Sequence, residues 1–129
     1  MTGSPQQRFE SIAQRVNADA HLVHRGRYLN ADLKVVVGEV PYLLSIRSGR
    51  VEGLSRQMPL FAPAALTIHA AEAAWEALWE PMPQAGWHDL FALTKRGAMR
   101  IEGDSHLLFA HLQYLKDVLA APRQSRGAP

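Results

Sequence analysis

The sequence predicts an α+β fold, on three observations. Apolar residues recur at helical spacing near the start, at Phe9, Ile12, Ala13 and Val16, with Arg8, Glu10, Gln14 and Arg15 between them. After Asn30 the pattern turns alternating and β-branched, through Leu33, Val35 and Val37, then Tyr42, Leu44 and Ile46, then Val51 and Leu54. Shorter strand-like and helix-like segments then follow one another towards the C-terminal end. A run of strands combined with separate helices is the pattern of an α+β domain.

The first periodic stretch is a short amphipathic helix. Three strands come next, and Gly38-Glu39 and Ser48-Gly49 sit where tight reversals are needed, because glycine accepts the positive φ of hairpin turns. The three strands should therefore form an antiparallel meander. Gly53 interrupts the alternation between Val51 and Leu54 and predicts a bulge or a strand end. Residues 58–63 are turn-rich but apolar, which fits a crossover packed on the body. Leu66-Thr67-Ile68 reads as a fourth strand. Residues 70–80 read as a helix with Glu72, Glu76 and Glu80 on one side and Ala71, Trp75, Leu78 and Trp79 on the other, ended by Pro81 and Pro83. A short helix over 87–93, a fifth strand over 98–102 and a turn at Gly103-Asp104-Ser105 lead into a last helix running to about residue 120.

At 129 residues, 47% apolar and 20% charged, the chain has the size and composition of one globular domain. A chain of this size buries roughly two-thirds of its unfolded surface around one core. Residues 8–121 make up the expected domain, with flexible ends over 1–7 and 122–129. No repeat or internal boundary interrupts it. The absence of cysteine excludes disulfides, thiolate catalysis and cysteine-based metal sites. The opening residues lack the basic and apolar regions of a signal peptide, and no apolar run approaches the ~18 residues of a membrane span. A cytoplasmic protein with no stable membrane insertion is expected. Eleven arginines are scattered within a net charge of +2 instead of gathering on one stretch, so nucleic acid is not an expected partner.

The segment Gly97-Ala98-Met99-Arg100-Ile101-Glu102-Gly103-Asp104, followed by a leucine-rich helix and preceded by Leu66-Thr67-Ile68 and the helix containing Trp75, resembles the sterol-carrier-protein family. There a strand of the form G-x-x-x-I-x-G-D runs directly into the last helix. The similarity spans residues 8–121, and its specific part is 66–119. It implies a five-stranded mixed sheet in the order 3-2-1-4-5, helices packed on one face, and an apolar tunnel between the two. The C-terminal Arg126-Gly127-Ala128-Pro129 is not a peroxisomal address, which favours a bacterial single-domain form whose ligand need not be a sterol.

The resemblance assigns ligand contact to Trp75, Leu78, Trp79, Met82, Phe91, Leu93, Met99, Leu108, Leu112 and Leu115. Packing in a solid core explains the same residues, and both readings stand at this point. The last helix carries two apolar stripes, Leu108, Leu112, Leu115 and Leu119 beside Leu107, Tyr114 and Val118, which must be covered on two sides. His21 with His24 and His106 with His111 have no carboxylate at a metal-binding spacing, and five residues place the second pair about 140° apart on a helix. No metal or other cofactor is expected.

Asp104 fits either a general base or a helix cap, of which the cap is simpler. No nucleophile elbow, phosphate loop or carboxylate pair is present, so the chain is not read as an enzyme, and only Asp104, His111 and Tyr114 offer candidates for a third, catalytic reading. The expected function is non-catalytic binding or carriage of a fatty acid, acyl chain, isoprenoid or sterol in an internal tunnel. The alternative is an accessory subunit that presents a lipid substrate to a partner enzyme or stabilises it. Phe109, with Phe61 or Trp87, would mark a homodimer surface.

Overall fold

The computed structural model describes residues 4–56 and 64–123. The crossover expected over 58–63, Phe61 within it, and the tail beyond 123 lie outside the described residues. Helix α1 (Pro5–Glu10) opens with a reciprocal cap: Ser4 Oγ accepts from the Gln7 N–H at 3.2 Å, and Gln7 Oε1 accepts from the Ser4 N–H at 3.1 Å. Proline at the first helical position costs no hydrogen bond. Helical structure thus begins at Pro5.

Ser11 interrupts the helix, and α2 (Ile12–Ala18) continues beyond it, so the single helix read from the spacing is two. A third helix, α3 (Ala20–Arg25), follows, capped by Asp19 Oδ1 on the Leu22 N–H at 3.1 Å.

Strands β1 (Asn30–Val37), β2 (Val40–Arg47), β3 (Arg50–Ser55), β4 (Leu66–Ala70) and β5 (Met99–Gly103) form one sheet in the order β3-β2-β1-β4-β5. Only β1 and β4 run parallel, because the long connection after β3 returns the chain to the other side of β1. The mixed sheet and its order are those expected. Ser48 and Gly49 are both left-handed, at φ 52° and 80°, the pairing that a tight hairpin matched to strand twist requires. Ser45 faces Gly53 while Ile46 faces Val51, leaving Glu52 as the extra residue of a bulge beside the predicted glycine.

Along β1, Ala31, Leu33, Val35 and Val37 are buried and the residues between them are half-buried, so one face of the sheet carries the core. Helix α4 (Glu72–Leu78) turns Ala74, Trp75 and Leu78 inward and leaves its glutamates outside. Helix α5 (Leu90–Lys95) starts later than the spacing suggested, because Asp89 Oδ1 takes the Ala92 N–H at 2.8 Å. The last helix is also divided, into α6 (Ser105–Ala110) and α7 (Leu112–Ala120), by His111 at φ −121°, ψ 26°.

That break changes the expected stripes. α6 buries none of its residues, whereas α7 buries Tyr114, Leu115, Val118 and Leu119. Asp104 is the cap of α6, its Oδ1 accepting from the Leu107 N–H at 3.0 Å. Among the described residues no polar or charged one is fully buried, and no helix is long and apolar enough to cross a membrane.

Candidate ligand-binding site

Four rings meet where α1 and α4 cover the sheet. Phe9 lies 4.9 Å from Tyr42, 6.3 Å from Trp75 and 6.4 Å from Trp79, and the two indoles are 5.4 Å apart. All four are buried. Each ring arrives by local rules: Phe9 on the apolar face of α1, Tyr42 at an inward position of β2, and the tryptophans four residues apart across α4 and its C-cap. The indole nitrogens are satisfied, Trp75 Nε1 donating to the carbonyls of Val36 at 3.1 Å and Ala70 at 3.2 Å, and Trp79 Nε1 to that of Leu119 at 2.8 Å. Buried amphipathic rings require such partners.

Helix α1 is tied down mainly at its rim. Gln6 Nε2 donates to the Val37 carbonyl at 3.1 Å, Arg8 Nη2 to the Trp79 carbonyl at 2.8 Å, and the Tyr42 hydroxyl to Glu10 Oε2 at 2.7 Å. Arg56 joins the same carboxylate oxygen through Nε at 3.1 Å and through a closer Nη2 contact. Glu10, Tyr42 and Arg56, with Ala13 and Leu54, line an open groove of about 390 Å³.

Burial, and then the hydrogen bond to Glu10, push the Tyr42 phenol up to about 12. Burial alone pushes Tyr114 up to about 12, and its hydroxyl donates to the Gly49 carbonyl. The Tyr42 hydroxyl first, and Arg56 second, hold the Glu10 carboxyl below its ordinary value.

A phenol whose folded pKa is raised stabilises the fold fully below its unfolded pKa of about 10 and loses that contribution as pH rises through the folded value. The thermal midpoint, followed by circular dichroism, should therefore fall between about pH 10 and pH 12. The double variant Tyr42→Phe, Tyr114→Phe should show a shallower fall over that window. An unchanged slope would mean that other groups carry the alkaline transition.

No known family profile and no curated protein matches this chain. Solved structures do. A Thermus thermophilus protein described as possibly a sterol carrier protein superposes with a TM-score of 0.71 at 16% identity, covering 99% of this chain and 94% of the other. Sterol carrier protein 2 gives a TM-score of 0.71 at 15% identity over 92% of this chain and 95% of its own. The fold is that of the sterol carrier proteins. A third structure with it, the ubiquinone synthesis protein UbiJ-SCP2, has a TM-score of 0.60 at 17% identity and covers 89% of this chain and 94% of its own.

Within this sterol-carrier fold the ten residues predicted to contact ligand fall into three groups. Trp75, Leu78, Trp79, Leu93, Met99 and Leu115 belong to the packed core. Leu108 and Leu112 are half-buried against it. Met82 and Phe91 are exposed, by 66% and 43%. Met82 instead borders an open groove of about 490 Å³ with Glu76, Glu80, Gln84 and Trp87.

Phe91 meets Phe109, itself 60% exposed, edge-on at 6.2 Å, with Lys116 Nζ 5.6 Å above the Phe91 ring. Trp87 is half-buried and stacks under the Arg96 guanidinium at 4.2 Å. The residues missed from the sequence are Glu10 and Arg56 at the groove, and Phe9 as the ring that joins Tyr42 to the tryptophans. The inward periodicity of Phe9 and Tyr42 was visible; the meeting of these residues was not.

Proposed function

We propose that this protein binds or carries an apolar, lipid-like ligand without changing it chemically, holding its alkyl or isoprenoid part between the sheet and the helices. The observation that supports this most is the sterol-carrier fold, shared over 99% of the chain with a protein described as possibly a sterol carrier protein and over 92% with sterol carrier protein 2. In this reading Trp75, Leu78, Trp79, Leu93, Met99 and Leu115 form the wall against which the chain lies, with Leu108 and Leu112 at its rim and Met82 and Phe91 nearer the entrance. The absence of cysteine is compatible with a reducing, cytoplasmic setting.

Magnitudes favour an opening helix over a permanently open bore. Beyond Pro5, Phe9 is the one buried side chain of α1; exposing it costs about 1.5–3 kcal/mol, and the faces it uncovers on Trp75 and Trp79 are covered again by the incoming alkyl chain. Burial of an alkyl chain contributes roughly 0.8 kcal/mol per methylene, so about four methylenes offset that cost. Affinity then follows chain length more than headgroup contacts. Delipidated protein should bind a pyrene-labelled long-chain fatty acid saturably at micromolar concentration, and native mass spectrometry of freshly purified protein should show retained lipid. If no long-chain probe binds, carriage is the wrong reading.

A second reading, an accessory subunit that presents a lipid substrate to a partner enzyme or stabilises it, is favoured by the exposed Phe91–Phe109 pair on α5 and α6. A defined partner recovered at fixed stoichiometry in a pull-down is its signature. The same aromatic pair would serve a homodimer, which sedimentation distinguishes.

A further inference from the structure

We propose that the groove lined by Glu10, Ala13, Tyr42, Leu54 and Arg56 receives the anionic headgroup of a single-chain amphiphile, a carboxylate at the end of an alkyl chain, and that Glu10 holds that place in the closed protein. The inference rests on the carriage reading and adds to it a headgroup site and a point of entry.

Three donors converge on one carboxylate oxygen: the Tyr42 hydroxyl at 2.7 Å, Arg56 Nε at 3.1 Å and Arg56 Nη2 closer still. A fork of N–H groups with an adjacent hydroxyl is a carboxylate-binding arrangement. Both donor residues lie on the sheet side, Tyr42 on β2 and Arg56 just after β3, while the acceptor comes from α1. The cradle therefore stays in place when α1 moves.

Exchange of Glu10 for another carboxylate is cheap, because the pair sits in solvent. The Arg56 and Glu10 side chains are 59% and 39% exposed, and exposed ion pairs are held weakly. Tyr42 spans the two environments: its ring is buried against Phe9 and its hydroxyl faces the groove. A carboxylate bound there leaves its first methylenes beside Ala13 and Leu54, next to the ring cluster. Taking Glu10 out of the cradle also removes one rim tether of α1, so headgroup capture and opening are coupled. A cationic head would be repelled by Arg56, and a neutral alcohol would leave most of the donor fork unused.

The test compares pyrene-dodecanoic acid with pyrene-dodecanol on delipidated full-length protein. The acid should bind about threefold tighter than the alcohol, the ratio that an exposed ion pair supports. Arg56→Gln should bring the ratio of the two dissociation constants close to one, and Arg56→Lys, which keeps the charge and loses the fork, should retain part of the preference. Glu10→Gln removes the internal competitor and should raise affinity for the acid, the opposite direction, so loss of folding cannot imitate it.

Equal binding of both probes to the parent protein, or a ratio that Arg56→Gln leaves untouched, overturns the headgroup site while carriage stands. Failure of both probes to bind overturns carriage and the headgroup site together.

Discussion

Trp79→Ala is expected to lower stability by about 3–5 kcal/mol. The side chain is fully buried between Phe9 and Trp75, and its indole N–H supplies the Leu119 carbonyl at the end of α7. Truncation opens a cavity at the junction of α1, α4 and α7. It also strands the buried carbonyl, which by itself costs about 1–3 kcal/mol. For a domain of this size such a loss shifts the thermal midpoint by roughly 10–25 °C, readable by circular dichroism or differential scanning calorimetry. Trp79→Phe keeps most of the packing and loses the hydrogen bond, so it should fall between the two. A midpoint that moves by only a degree or two in the alanine variant would mean that the four rings do not form one packed unit.

Gly103→Ala is expected to cost about 2–4 kcal/mol, from two independent sources. Gly103 has φ +124°, a conformation open to glycine and rarely to other residues. An added Cβ would also overlap the Ala65 carbonyl oxygen and lie 3.0 Å from Leu66 Cα. Both obstacles are backbone at the start of β4, where Leu66 pairs with Gly103 and the Asp104 N–H donates to the Ala65 carbonyl at 2.9 Å. They cannot rotate away. Gly97→Ala is the matched control: its φ is +79° but nothing lies within 4 Å of the added carbon, so strain alone should cost about 1 kcal/mol. Equal losses in urea unfolding of the two variants would show that close approach at Gly103 contributes nothing.

The same glycine explains the motif on which the family resemblance rests. Gly103 lets β5 end against β4 without a side chain between them, and Asp104 then caps α6. Both roles are local, and both were legible. The β1–β3 meander was legible for a similar reason: Leu33, Val35, Val37, Tyr42, Leu44 and Ile46 alternate strictly, and Gly38 and Gly49 occupy the reversals.

Helix boundaries were less so. Ser11 and His111 break two helices without breaking the apolar spacing, because a one-residue interruption leaves the residues on either side on nearly the same face. Helix α3 buries Leu22 and nothing else, so it carries no amphipathic stripe to detect.

By itself the sequence determined the class of fold, the strands and their turns, the Gly103-Asp104 junction and the exclusion of thiol chemistry. Each depends on residues adjacent in the chain or one turn apart. Only the tertiary structure decided which apolar residues are enclosed and which face outward. Trp75 and Trp79 are covered because α1 lies on them; Phe91 and Phe109, equally apolar, are left exposed by α5 and α6. It alone brought Glu10 to Tyr42 and Arg56, which are 32 and 46 residues away in sequence. Periodicity states which side of an element turns from water, but what meets that side is set by the packing of segments far apart in the chain.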